Sequence, residues 1–144
     1  MRNTDIVTAR SEESGRTAVV QEEIDSVWLY LSRPDEARPE VACWVLNTPD
    51  APPVPDFASY RSQSAPPPLP AAQINGAPPD PRDGRWSLLW SRDGQAVAAL
   101  LDEQPIAFAV GGQSRGYARY VKGGANPWAL PWDEGAFAAA FAPL

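Results

Sequence analysis

A chain of 144 residues is about one domain long, and with 44% hydrophobic residues it carries enough apolar side chains for a sizeable core. Its 18 acids against 12 bases leave a formal net charge of −6, a balance that opposes phosphate backbones and anionic lipid, so neither nucleic acid nor membrane is expected as a partner. The chain has no histidine, which removes Ser-His-Asp and Cys-His catalysis and the usual zinc sites; no enzyme activity, metal or cofactor is expected.

Residues 1–14 are polar, with Ile6 and Val7 as anchors, and read as a loose terminus. From Thr17, the residues Thr17, Val19 and Gln21 alternate with Ala18, Val20 and Glu22. A turn at 23–26 then leads into Val27 to Leu31, which predicts a first hairpin. In its second strand Trp28 and Tyr30 share one face and Val27, Leu29 and Leu31 the other, so both faces require cover. Glu40 to Leu46 predicts a third strand. It contains Cys43, the single cysteine, which rules out an intrachain disulfide and reads as a small core residue.

Between Pro49 and Gly84 stand 11 of the 17 prolines, so no regular sheet is expected there. Two readings compete for this segment: a polyproline II ligand carrying the PxxP spacing of residues 66–70, or a long irregular loop lying across the sheet. The loop is favoured, with Phe57, Tyr60, Leu69 and Ile74 as anchors and with more mobility than the sheet.

Residues 85–122 read as a four-run antiparallel meander. Trp86, Leu88 and Trp90 share a face, Arg92-Asp93-Gly94 is a hairpin signal, and Gln95 to Leu101 is apolar on both faces, as in a central strand. A helix over 95–101 is the rival reading, but seven uncapped residues between turns are short for one. Asp102 to Pro105 makes the next reversal, Ile106 to Val110 the next strand, and Arg115 to Val121 the last. Beyond Pro127, Trp128, Leu130 and Trp132 follow in extended spacing. A short helix over 133–142 then places Phe137 and Phe141 on one face. The expected architecture is mainly β: a single-domain antiparallel sandwich or open barrel of about seven strands, with a long proline-rich loop and a short C-terminal helix.

Adjacent carboxylates such as Glu22-Glu23 and Asp102-Glu103 point to opposite faces of a strand and do not converge on a substrate. The glycine-rich run at 111–116 precedes a strand, not a helix, so it reads as a turn and not as an anion site. Arg115, Arg119 and Lys122 with Tyr117 and Tyr120 make a weak nucleic-acid footprint in an acidic chain.

The patterns Val27-Trp28-Leu29-Tyr30 and Cys43-Trp44-Val45-Leu46-Asn47, and Asp93-Gly94 running on to Pro105-Ile106-Ala107, resemble a group of small uncharacterised bacterial proteins. In size, acidity and lack of catalytic groups the chain is similar in type to the cytoplasmic immunity proteins that block bacterial toxins. The resemblance implies a bacterial cytoplasmic setting and carries over no functional residues. The lack of an apolar segment at the N-terminus leads to the same expected location.

Two functional readings remain. Through Asp56 the chain holds 11 acids against 5 bases, and after it 7 of each. Glu22, Glu23 and Asp25 are therefore the candidates for steering a basic protein partner, as a non-catalytic immunity-type inhibitor would. The alternative is a small-molecule or carbohydrate pocket built from Trp86, Trp90, Trp128 and Trp132.

Overall fold

A computed structural model describes residues 5–23, 26–47, 81, 84–121 and 129–142. Four strands form one antiparallel sheet in chain order: β1 (Asp5–Arg10), β2 (Thr17–Glu22), β3 (Ser26–Ser32) and β4 (Pro39–Asn47). Five more form a second sheet, also in chain order: β5 (Trp86–Trp90), β6 (Ala96–Leu101), β7 (Gln104–Val110), β8 (Tyr117–Ala118) and β9 (Leu130–Pro131). Among the described residues only β8 and β9 pair in parallel. One short helix, α1 (Glu134–Ala140), follows. Among the described residues no pairing joins the two sheets, so the mainly β fold is an open sandwich and not a barrel.

Period-two alternation builds the interior. In the first sheet Ala18 pairs with Leu31 and Val20 with Leu29, while Leu29 and Leu31 pair onward with Cys43 and Val41. In the second, Trp86 pairs with Leu101, Leu88 with Ala99 and Trp90 with Val97; Ala99 and Val97 then meet Ala107 and Ala109. These two faces form one buried cluster. Full burial of a Leu or Val side chain is worth about 1.5–3 kcal/mol, and Leu29, Leu31, Val41 and Val97 are all inaccessible to solvent. The small residues of β6 and β7 let the sheets approach closely, as expected for a central strand.

The opposite face of the second sheet is closed by aromatic packing. Phe108 is fully buried. Its ring stacks on Tyr117 at 4.5 Å and meets Trp132, Phe137 and Phe141 edge-on at 5.1, 5.4 and 6.2 Å. The i, i+4 spacing of Phe137 and Phe141 therefore fastens α1 to the sheet. Asp133 caps that helix by accepting from the Ala136 amide at 3.0 Å.

Three sequence expectations need correction. Residues 5–10 are not a loose terminus: they pair with β2 along their whole length, from Asp5 with Glu22 to Arg10 with Thr17. The meander's last run is short, since β8 keeps only two residues. The described residues hold nine strands, where about seven were expected. The irregular loop expected over 49–84 lies outside the described residues, except for Pro81 and Gly84.

All three turns of the meander use left-handed backbone, the last at Gly112 (φ 87°). Gly94 (φ 70°) supplies it between β5 and β6, and a Cβ there would collide with Ser11 and Ser14 of the β1–β2 turn, so the two hairpins interlock through this glycine. Between β6 and β7 the positive φ falls on Asp102 (49°) and Glu103 (69°), the pattern of a type I′ hairpin. Glutamate is poorly suited to that region. Glu103→Gly is therefore expected to stabilise the fold by about 0.5–1 kcal/mol, read as a raised Tm at neutral pH.

Candidate functional site

The strands define two ends of the sandwich. One end gathers the close of β2, the start of β5 and the β6–β7 turn, and it is acidic. Glu22 sits there, but it is buried: at 3% exposure its Oε2 accepts the Trp86 indole N–H at 3.0 Å. Glu22 is therefore a partner for the Trp86 donor inside the sandwich, and not part of an exposed charged face. Glu23, on the other side of the strand, accepts from the Gln21 amide at 3.2 Å. Asp25 lies outside the described residues.

Two acids that the sequence reading weighed only as a non-converging carboxylate pair complete this end. Asp102 Oδ1 accepts the Arg85 amide at 3.0 Å and the Asp102 amide donates to the Arg85 carbonyl at 2.9 Å, which clamps the turn to the start of β5. Glu103 beside it is exposed. Gly84, Arg85, Ser87, Asp102 and Glu103 line an open polar concavity of about 640 Å³. The neighbouring base Arg119 is already engaged: its Nε donates to the Pro105 carbonyl at 2.6 Å, its guanidinium lies 3.9 Å over Trp132, and it pairs loosely with Glu134 at 3.6 Å.

The tryptophans proposed to share a pocket are not brought together. Trp86 and Trp90 lie on β5, at one edge of the second sheet, and their rings face the interior. Trp132 follows β9, at the other edge, where it packs on Phe108 and donates to Glu134 at 2.7 Å. Trp128 lies outside the described residues. Trp90 Nε1 is buried without a hydrogen-bond partner among the described residues, so the ring serves the core at the expense of its donor.

The opposite end is held by a charge network. The Arg16 guanidinium, 9% exposed, donates to Glu40 Oε1 at 2.8 Å, to the Ser32 carbonyl at 3.0 Å and, through Nε, to Gln95 Oε1 at 3.0 Å. Glu40 Oε1 also accepts the Gly112 amide at 2.9 Å, and Oε2 accepts from Arg33 at 3.1 Å. The 111–116 turn thus does bind an anion, but one supplied by the chain itself. The Gly112 amide first, then the Arg16 hydrogen bond, hold the Glu40 carboxyl below its ordinary value of 4.5, against the opposing pull of burial. Cys43 is buried as expected, and burial pushes its thiol up to about 12, which removes it as a nucleophile.

A second concavity lies on the outer face of the first sheet. Thr17, Val19 and Gln21 of β2, Tyr30 and Ser32 of β3, and Ala37 and Pro39 beyond them enclose about 300 Å³. Trp28 stacks on Tyr30 at 6.4 Å and 13° but does not line the space. Burial first, then the charge of Glu23, raise the Tyr30 phenol above its usual value, so at neutral pH it remains a donor. The alternation of Thr17, Val19 and Gln21 opposite Ala18 and Val20 was the sequence signal for this face.

Among the described residues no group of His, Cys, Asp or Glu side chains is arranged to hold a metal, and no helix is long and apolar enough to cross a membrane. Comparison with protein families, with curated proteins and with solved structures finds no match for the chain.

Two outcomes follow from this geometry. Glu22→Gln keeps an oxygen for the Trp86 indole and is expected to change stability little, whereas Glu22→Ala orphans a buried donor and is expected to cost about 1–3 kcal/mol in urea denaturation. For Glu40 the folded-state pKa is the lower one, so its contribution is present above pH 4.5 and is lost as pH falls through the folded value. Melting followed from about pH 6 down to about pH 3 is expected to show Glu40→Gln losing less stability on acidification than the parent chain.

Proposed function

We propose that the chain is a non-catalytic protein-binding domain that receives a basic partner at the acidic end of its sandwich, as an immunity-type inhibitor of a bacterial toxin or enzyme would. The observation that supports this reading is the β6–β7 turn. It presents Asp102 and Glu103 on a clamped two-residue loop beside an open concavity, at the same end as Glu23. Asp102, whose carboxylate is held by the Arg85 amide, costs little entropy when a partner's Arg or Lys docks, and the field of the acids at this end speeds encounter with a basic surface. Glu22 takes no direct part in this reading, because it is committed to Trp86. The same proposal sets the encounter in a bacterial cytoplasm and assigns no role to nucleic acid.

The test is capture of a partner from a lysate of the native source on the immobilised chain, at about 0.05 M and about 0.5 M salt. The expected result is a retained basic protein whose association slows at least tenfold at the higher salt. That protein should be lost from the Glu23→Lys, Glu103→Lys double variant. Retention indifferent both to salt and to charge reversal would overturn the reading, as would the absence of any retained protein at low salt.

A further inference from the structure

We propose that the outer face of the first sheet carries a second binding site, the groove beside Tyr30, and that its ligand is a short neutral saccharide of one or two rings. The volume of about 300 Å³ lies at the lower end of ligand-sized pockets, enough for a small ring compound but not for a long chain. None of the seven lining residues is ionised at neutral pH, and Glu23, whose charge reaches Tyr30, already accepts from the Gln21 side chain, so the lining itself suits a neutral ligand.

The polar groups that line it have hydrogen-bonding capacity to spare. Ser32 Oγ is used, accepting the Thr17 amide at 2.9 Å and donating to the Arg33 carbonyl at 2.9 Å. The hydroxyls of Thr17 and Tyr30 make no hydrogen bond among the described residues. The Gln21 amide nitrogen donates to Glu23, which leaves its oxygen as an open acceptor. Two hydroxyls and an amide oxygen around the edge of an aromatic ring, with Val19 as an apolar floor, match a ligand that has hydroxyls at its rim and C–H groups on its face. That combination is the chemistry of a sugar ring. Register places these groups side by side: Val19 pairs with Tyr30 and Gln21 with Trp28, so Thr17, Val19 and Gln21 form one row and Tyr30 lies across from its centre. Trp28 stacks on Tyr30 without lining the groove.

A polyproline segment is the other occupant to weigh, since the chain itself contains one at 66–70. Grooves for such segments are lined by several aromatic rings, and this groove has one ring flanked by hydroxyls. The saccharide is therefore the better match.

Amide and side-chain NMR shifts of the full chain, titrated with neutral hexoses, N-acetylhexosamines and their disaccharides up to about 10 mM, test the proposal. At least one sugar is expected to shift Thr17, Val19, Gln21 and Tyr30 saturably, with a Kd on the order of 1 mM. Tyr30→Phe and Thr17→Val, each with an unchanged Tm, are expected to weaken that binding about fivefold to tenfold. The proposal is overturned if no sugar moves these resonances, or if shifts centre elsewhere. It also fails if both variants bind as the parent does, or if a synthetic peptide of residues 64–72 shifts the same residues while every sugar leaves them unmoved.

Discussion

The arrangement of this sandwich depends on one buried guanidinium. Arg16 lies in the connection from β1 to β2, and its hydrogen bonds reach Ser32 at the end of β3, Glu40 at the start of β4 and Gln95 at the start of β6, so one side chain reads the position of both sheets. Gly111 lies against it, and any Cβ at that position would collide with the guanidinium. A buried ion pair of this kind adds little net stability relative to an apolar filling, because desolvation offsets the Coulomb gain. Its consequence is geometric. Apolar contacts between two flat faces tolerate sliding, whereas a planar donor with several fixed acceptors fits one alignment. The Gly112 amide on Glu40 extends the same constraint to the β7–β8 turn.

With alignment set at that end, the other end can present charge. The hydrogen bond from Trp86 to Glu22 ties the sheets together there, and the acids around it are divided: Glu22 inward, Glu23 outward. Adjacent acids on a strand cannot share a substrate, so their density does not make a catalytic pair. It does make a field. Asp102 and Glu103, lifted on a left-handed turn, carry that field to the surface of the second sheet.

Much of the fold was legible in the sequence because its strands carry readable patterns: Thr17 to Glu22 alternates buried and half-buried residues, and Ala96 to Leu101 is apolar on both faces, as a central strand is. β1 was not legible, since only Val7 and Ala9 share its inward phase while Ile6, 60% exposed, points away; pairing with β2, and not hydrophobicity, orders it. β8 was over-read because Tyr117 faces the Phe108 cluster and Arg119 is drawn aside to Trp132 and the Pro105 carbonyl, which ends the ladder early. The candidate sites were less legible for a related reason. Composition counts charges and aromatic rings but does not show which of them the fold consumes: Glu22 goes to Trp86, Trp132 to Phe108, and Arg16, an ordinary base in the sequence, becomes the most committed charge in the molecule.

That consumption is also what distinguishes the surfaces still available for recognition. A side chain whose donors and acceptors are satisfied internally loses those bonds if it turns to a ligand, a penalty of about 1–3 kcal/mol for each buried group left unpaired. Arg16 and Glu22, both buried, carry that penalty. Glu103 on its turn and the hydroxyls of Thr17 and Tyr30 do not, because they are exposed or lie in an open groove without hydrogen-bond partners among the described residues. The two surfaces differ in charge but meet at Glu23, which accepts from Gln21 of the groove and acts on Tyr30, so occupation of one bears on the other.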